Sequence, residues 1–191
     1  MPQADELKEQ GIKQFMQQKY QDAAATFQQA IEAYEAQDAA GMAAEMRVNR
    51  GLALHSLGQY DAALELMHQA LAVFRQMNDA LRTAQALGNL GRVYAKIDNT
   101  EQAITNYREA SAIFAELGDD ENYGETVLAI ADLQVRSGNV MQAAATYEIG
   151  LDYVKKPSTR QRLMKNLINV RNKMGGGVGA PPKSQDDEET E

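Results

Sequence analysis

The chain has 191 residues, of which 44% are hydrophobic, a net charge of −8 and no cysteine. This length permits one domain, or a short array of repeats, with a buried core. The lack of cysteine excludes disulfides, thiol nucleophiles and thiolate metal sites. Because the first ten residues are polar and no apolar run approaches the length of a membrane span, we expect no targeting or membrane-spanning segment and a cytoplasmic location.

Charge is unevenly distributed along the chain. Residues 1–154 carry a net charge of −11, residues 155–173 carry +7 without any acidic residue, and the remaining residues carry −4. An acidic surface repels nucleic acid and anionic membranes. We therefore expect no nucleic-acid partner, and we expect any anionic partner to be met by the basic segment.

Small residues recur every forty residues, which indicates an internal repeat. Within each unit, apolar residues recur at helical spacing on two segments. Residues that tolerate a left-handed backbone, such as Gly58, Asp98 and Gly138, stand between the two segments. The pattern predicts four helical hairpins, at about 3–38, 40–78, 80–118 and 120–154. The small residues form three series: Gly11, Gly51, Gly91 and Ala131; Ala23, Ala63, Ala103 and Ala143; and Ala30, Ala70, Ala110 and Gly150.

A glycine inside a helix costs about 1 kcal/mol relative to alanine, so Gly91 requires a reason. We expect Gly91 to face Ala103 on the second helix of its hairpin, so that the two backbones approach closely. Ala110 is expected to do the same against the next hairpin. Gly91 is thus predicted to be a packing residue rather than a hinge.

This pattern resembles the tetratricopeptide repeat. The period of forty residues, longer than the usual 34, is similar to that of kinesin light chains, spindle-orientation adaptors and some bacterial peptide-sensing regulators. The resemblance implies an all-α fold, a right-handed α-solenoid of about four helix-turn-helix hairpins with a C-terminal capping helix. Arg47 and Arg50 depart from the family pattern, which usually has core aliphatic residues there. The segments that carry the resemblance are EQGIKQFMQQKYQDAAATFQQA (9–30), VNRGLALHSLGQYDAALELMHQA (48–70), LGNLGRVYAKIDNTEQAITNYREA (87–110) and, more weakly, LAIADLQVRSGNVMQAAATYEIG (128–150).

The resemblance also implies a concave face, lined by the first helices of successive hairpins, that binds a partner. Asn49 and Asn89 fall at the same position of successive repeats on this face, and an amide can bond to a peptide backbone whatever its side chains. An isolated asparagine on a helix is more often a solvated residue, and that alternative stays open for each. The residues predicted to bind the partner are Lys8, Asn49, His55, Gln85, Asn89, Arg92, Lys96, Asp132 and Arg136.

One family subtype grips acidic C-termini with a carboxylate clamp of Lys, Asn, Asn, Lys and Arg. Lys8 and Asn49 match this clamp, but Ile12, Gln85 and Asn89 occupy its other three positions. Loss of these contacts would remove most of the clamp's affinity. The clamp is therefore not expected.

The residues favour binding over catalysis. His55 and His68 are the only histidines, and neither lies in a metal-ligand spacing. Ser56 follows His55 directly, and adjacent helix residues point about 100° apart, which is unsuitable for a catalytic triad. We expect no enzyme activity, no catalytic residue, no metal and no cofactor.

The segment KKPSTRQRLMKNLINVRNKM (155–174) predicts one further helix over 158–173, because Pro157 ends the preceding helix and Ser158 with Gln161 forms a capping box. Either this helix caps the array with a polar outer face, or it is a basic docking helix for an acidic protein or a membrane surface. Residues 174–191 have the composition of a disordered acidic tail rich in Gly and Pro. The basic residues of the helix are Arg160, Arg162, Lys165, Arg171 and Lys173.

Together these features predict an adaptor or scaffold that binds a peptide or helical segment of another protein in its groove, and that self-associates weakly if at all. The alternative is an assembly or regulatory factor that docks through the basic C-terminal helix. The identity of the partner is not encoded in the composition or the repeats.

Overall fold

A computed structural model describes residues 2–155 and 159–173. Within these residues the chain forms α-helices and no strand, which confirms the predicted all-α repeat fold. Contacts between Cα atoms divide the chain into two compact units, Met1–Lys155 and Lys156–Glu191. The first unit, here called the repeat array, contains α1 to α8, and the second contains α9. The helices are α1 (Pro2–Met16), α2 (Tyr20–Glu35), α3 (Ala40–Ser56), α4 (Tyr60–Gln76), α5 (Ala80–Lys96), α6 (Thr100–Glu116), α7 (Asp120–Arg136), α8 (Val140–Tyr153) and α9 (Thr159–Lys173).

Each helix of the array packs on the next one along the chain. Seven of the turns that join them contain one residue with positive φ, and these residues recur every twenty positions. In the turn after α3, the N–H of Gly58 donates to the carbonyl of His55 and the N–H of Gln59 to that of Leu54. This pair of bonds is the Schellman closure of a helix. The left-handed residues are Gln18, Asp38, Gly58, Asn78, Asp98, Gly118 and Gly138.

Three consecutive helices begin with a side-chain cap. Asp79, Asn99 and Asp119 each accept a hydrogen bond from the backbone N–H three residues later, at 3.0, 3.3 and 3.2 Å. Such a cap satisfies one of the free N–H groups at a helix start and stabilises the helix by about 1 kcal/mol. The starts of α5, α6 and α7 are therefore better defined by local sequence than those of α3 and α4, where Ala39 and Gln59 form no such bond.

The helix-interior glycines make room for bulky side chains of the following helix. A Cβ atom at Gly91 would lie 2.8 Å from the ring of Tyr107, and one at Gly11 would lie 2.6 Å from the ring of Phe27. Ala103, which was expected to face Gly91, is fully buried, and the atoms nearest to a Cβ at Gly91 are those of the Tyr107 ring. The glycine thus accommodates an aromatic ring sixteen residues ahead. In the second hairpin, a Cβ atom at Gly51 would also lie 3.3 Å from the carbonyl oxygen of Ala63, which is the position equivalent to Ala103.

One cluster of buried apolar residues joins α1 to α4 and another joins α3 to α6, and α7 and α8 bury further apolar residues such as Leu128 and Leu151. In the second cluster, Leu87 and Leu90 of α5 are 1% and 0% exposed. The residues forty positions earlier, Arg47 and Arg50 of α3, are only partly buried. The packing beside α3 therefore differs from the packing beside α5.

The helix α9 begins and ends close to the basic helix predicted from the sequence. Its residue Arg162 donates a hydrogen bond of 3.4 Å to the hydroxyl of Thr159. The predicted tail, 174–191, lies outside the described residues. Among the helices in 2–155 and 159–173, none is long and apolar enough to cross a membrane.

Candidate functional site

An open groove of about 710 Å³ crosses the middle of the repeat array. Its walls come mainly from α3, α5 and α7, the first helices of the second, third and fourth hairpins. Its apolar surface is contributed by residues such as Leu52, Phe74 and Phe114. We call it the long groove. Its polar lining residues are Glu45, Asn49, Arg82, Gln85, Asn89, Arg92, Tyr107, Asn122, Glu125 and Thr126.

Three amide side chains predicted from the repeat pattern lie together in the long groove. Asn49 comes from α3, and Gln85 and Asn89 are one turn apart on α5. The carbonyl oxygen of the Asn89 side chain accepts a hydrogen bond from the guanidinium of Arg92. This bond engages the amide oxygen and fixes the plane of the amide, so the Asn89 amide nitrogen is available as a donor to a ligand.

Glu45 joins three successive hairpins at one edge of the groove. Its carboxylate forms ion pairs with Lys8 of α1 at 2.8 Å and with Arg82 of α5 at 3.3 Å. All three side chains are about 30% exposed, so solvent weakens the pairs. Lys8, which was predicted to bind the partner, is engaged by Glu45 and lines neither the long groove nor the pocket that adjoins it.

A smaller pocket of about 260 Å³ adjoins the long groove, and Arg92 and Tyr107 line both. We call it the basic pocket. Three cationic side chains line it against one carboxylate, although the array as a whole is acidic. The basic pocket contains five of the residues predicted to bind the partner: His55, Arg92, Lys96, Asp132 and Arg136.

His55 stands on α3 at the edge of the basic pocket and is neutral at physiological pH. Burial lowers the pKa of its imidazole below the ordinary value, and the nearby charges of Arg92 and Lys96 lower the pKa further. Its ring contacts Tyr60 edge to face, with the ring centroids 5.6 Å apart. Its Nε2 atom is buried and has no hydrogen-bond partner among the described residues.

Tyr107 connects the packing of the array to its surface. Its ring fills the space left by Gly91 and also lines both pockets. Burial raises the pKa of its hydroxyl, and the neighbouring Arg92 and Arg136 partly oppose that rise. The hydroxyl is therefore neutral at physiological pH and can donate as well as accept a hydrogen bond.

The structure thus brings together eight of the nine residues predicted for the groove, in two adjoining cavities. The sequence analysis did not single out Tyr107. It also missed Arg82 and Asn122, whose shared position in successive repeats was the signal that could have identified them. For the basic helix, Arg162 and Lys165 lie in α9, whereas the side chains of Arg160, Arg171 and Lys173 lie outside the described part of the structure.

No cluster of three or more metal-ligating side chains occurs within 2–155 and 159–173. The polar lining of the two cavities consists mainly of amide, cationic and carboxylate side chains, and aromatic and aliphatic side chains lie between them. These groups suit hydrogen bonding and ion pairing with an extended chain. These features define a general class of protein: an array of paired helices with a binding groove along one side.

The comparisons with known proteins identify the family. The sequence model described as tetratricopeptide repeat matches residues 42–116 and 83–155, which together span more than half of the chain. The chain therefore belongs to the tetratricopeptide repeat family, whose members are typically non-enzymatic scaffolds for protein interactions. No curated protein sequence matches the chain.

Solved structures with low sequence identity share the fold. The apo form of RapI aligns with a TM-score of 0.77 at 15% identity, over 88% of this chain and 48% of RapI. A protein from Podosopora anserina described as a kinesin light chain with nearly identical repeats aligns with a TM-score of 0.72 at 15% identity, over 92% of this chain and 90% of that one. BtubC from P. vanneervenii aligns with a TM-score of 0.64 at 18% identity, over 91% and 65%. The chain spans about half of RapI and two thirds of BtubC.

Proposed function

We propose that the protein is an adaptor that binds an extended segment of a partner protein along the long groove, with an acidic residue of that segment in the basic pocket. The proposal rests on one observation: the two cavities adjoin, and Arg92 and Tyr107 line both of them. A single peptide can therefore contact the amides of the long groove and the cations of the basic pocket.

The amides of the long groove suit a peptide backbone. Asn49 and Asn89 project from successive first helices into one cavity, and Asn89 is oriented by Arg92. Backbone recognition by amides does not depend on the side chains of the ligand. The long groove is thus expected to determine where the peptide lies rather than which sequence is bound.

The basic pocket suits a carboxylate. Arg92, Lys96 and Arg136 converge on a space lined by only one acid, Asp132. A charge-assisted hydrogen bond to a guanidinium is about twice as strong as a neutral one. The basic pocket is therefore expected to provide the preference for an acidic side chain.

The proposal is tested by selecting displayed peptides of random sequence on the intact chain and measuring their affinity by fluorescence anisotropy. Selected peptides should be enriched in Asp and Glu. The double variant Asn49→Ala with Asn89→Ala should weaken binding by about 1 to 3 kcal/mol, because polar groups of the bound backbone lose their partners. Arg92→Ala should weaken it further for acidic peptides.

A matched control is Gln102→Ala, because Gln102 carries an exposed amide side chain on α6 and lines neither cavity. This variant also loses an amide from a helix surface, and it should bind peptides as the parent does. Undiminished affinity in a folded variant that lacks Asn49, Asn89 and Arg92 would contradict the proposal.

A binding role, rather than a catalytic one, is supported by the typical role of the family and by the chemistry of the cavity walls. Docking through α9 is the second candidate, and it is favoured by the absence of acidic residues from 159–173. Arg162→Glu with Lys165→Glu should abolish binding to an acidic partner if α9 is the docking surface, and should leave it unchanged if the groove is.

A further inference from the structure

A third cavity lies on another side of α3, away from the long groove and the basic pocket. Its volume is about 390 Å³, and its walls come from α2, α3 and α4. We call it the α2–α4 groove. Its floor is apolar, with Ile31 and Leu54 only 4% and 7% exposed and Leu66 beside them. Its polar rim residues are Gln28, Glu35, Arg47, Arg50, Glu65 and Gln69.

This groove exists where the repeat pattern is broken. In the third repeat the equivalent positions hold Leu87 and Leu90, which are fully buried and pack with Leu71 and Phe74. In the second repeat they hold Arg47 and Arg50, both of which line the open groove. Two guanidiniums have therefore replaced two core side chains, at a loss of the apolar burial that each leucine would provide.

The two arginines are not equivalent. Arg47 forms an ion pair with Glu35 across the α2–α3 contact. Arg50 donates instead to the side-chain oxygen of Gln28, whose own nitrogen donates to Glu32 at 2.7 Å. Among the described residues, no carboxylate oxygen lies within 4.0 Å of Arg50. Arg50 is thus a cation held in place by a neutral amide.

The Nε atom of Arg50 is also buried without a hydrogen-bond partner among the described residues. Buried donors without an acceptor are rare in native proteins and raise the free energy of the folded state. A small rotation of the guanidinium toward the groove would give Nε an acceptor if a carboxylate occupied that space. Arginine can bind such a carboxylate through two parallel N–H donors.

We propose that the α2–α4 groove is a second docking site, which takes an acidic side chain with apolar neighbours from a partner protein and is anchored by Arg50. The apolar floor receives the neighbours of the acid, while Arg50 pairs with its carboxylate. The groove's volume of about 390 Å³ lies in the range of specific binding sites, and its polar rim surrounds a small apolar floor. Arginine in a desolvated pocket commonly provides much of an interface's affinity. This site does not depend on the long groove.

The proposal is tested with the blocked tripeptide acetyl-Leu-Glu-Leu-amide as probe and the intact chain labelled with ¹⁵N and methyl ¹³C. On titration, the Arg50 Nε–Hε resonance and the methyl groups of Ile31, Leu54 and Leu66 should shift together and saturate, with a Kd of about 1 mM. The glutamine counterpart, acetyl-Leu-Gln-Leu-amide, should bind at least about tenfold more weakly, because it lacks the charge.

Variants separate this site from the basic pocket, which also attracts acids. Arg50→Leu should abolish the shifts of the floor methyl groups and leave those around Arg92 intact, and Arg92→Ala should do the reverse. Arg50→Lys keeps the charge but removes Nε, and it should weaken binding at the floor severalfold. Arg75→Leu is the matched control, since Arg75 is an exposed arginine of α4 outside the cavity.

Three results would overturn the proposal. The first is an Arg50 resonance that does not move with the glutamate peptide, and the second is floor methyl groups that shift equally in Arg50→Leu or Arg50→Lys and in the parent. The third is an Arg50 resonance that moves on raising the protein concentration alone, which would assign the groove to a second copy of the chain.

Discussion

The second and third hairpins share one sequence pattern but pack differently. In the third, Leu87 and Leu90 of α5 close the space between neighbouring helices, whereas in the second, Arg47 and Arg50 of α3 leave that space open as the α2–α4 groove. The backbone elements are the same length in both cases, 17 residues for each of α3 and α5. Two side chains can thus convert a core contact of a repeat protein into a surface cavity without changing the helices that frame it.

We expect the largest effect when the arginine found at position 50 of the second hairpin is placed at the equivalent position 90 of the third. Leu90→Arg would bury a cation at a position that is 0% exposed, within a cluster of apolar side chains. An unpaired buried charge destabilises a protein by about 3 to 5 kcal/mol. Thermal unfolding followed by circular dichroism should show a melting temperature lower by roughly 10 °C. An unchanged melting curve would mean that the third hairpin can open as the second does.

Gly91→Leu should produce the next largest effect. The new Cβ would lie 2.8 Å from the ring of Tyr107, and overpacking of this kind costs about 1 to 3 kcal/mol. In the second hairpin, Gly51→Leu should be milder, because the atoms nearest to its Cβ, at 3.1 Å, belong to the flexible side chain of Met67, and the nearest backbone atom, the carbonyl oxygen of Ala63, lies at 3.3 Å.

The control for Gly91 is in the same helix. Gly88 has no atom within 4 Å of a built Cβ, so Gly88→Ala should stabilise the protein by about 1 kcal/mol through helix propensity alone. Urea unfolding of both variants measures the difference. If both shift stability in the same direction, the packing role of Gly91 is wrong.

The reverse exchange, Arg50→Leu, should stabilise the array modestly. A leucine would cover the floor formed by Ile31 and Leu54 and would remove the unpartnered Nε donor. Filling a cavity of this kind typically adds about 0.5 to 2 kcal/mol to the free energy of unfolding. Arg75→Leu on the exposed face of α4 should change it by less than about 0.5 kcal/mol. Equal effects from the two variants would show that the groove carries no stability penalty.

We expect the smallest effect at His55. The third hairpin has Ala95 at the equivalent position, which does not titrate. Burial lowers the folded-state pKa of His55 below 6.5, so the unfolded chain takes up the proton more readily. Stability should therefore fall as the pH drops below 6.5, and His55→Ala should reduce this fall. Some dependence should remain from His68, whose pKa is also lowered by burial. Urea unfolding at several pH values checks this, and identical pH profiles would contradict it.

Repetition explains why so much of the fold could be predicted. Positions such as Gly51, Gly91 and Ala131 recur every forty residues, and the same helical pattern, present in four copies, predicts the hairpins. The clustering of Asn49 and Asn89 in one cavity also followed from their shared position. Residues at the same position of successive repeats point in the same direction, and this is sufficient to predict which side chains share a face.

Contacts between hairpins were harder to predict, because they depend on side-chain conformation and on the neighbour's shape. The ion pairs of Glu45 with Lys8 and Arg82 join helices that are far apart in sequence. The atoms nearest to a Cβ at Gly91 belong to the ring of Tyr107, which the repeat pattern did not single out. Arg50 was recognised as a departure from the repeat pattern. The cavity beside it could not be predicted, because its shape depends on how α2, α3 and α4 pack together.

The left-handed residues of the turns have a consequence for how this array could have grown. They stand every twenty positions from Gln18 to Gly138, so a block of forty residues cut at two alternate turns, such as Asp38 and Asn78, contains one complete hairpin. If such a block were duplicated or deleted, all the remaining helices would keep their lengths and their closing turns. Because each hairpin contacts mainly its neighbours, recombination between misaligned copies would produce chains that still fold, and each new copy would be free to acquire its own binding residues.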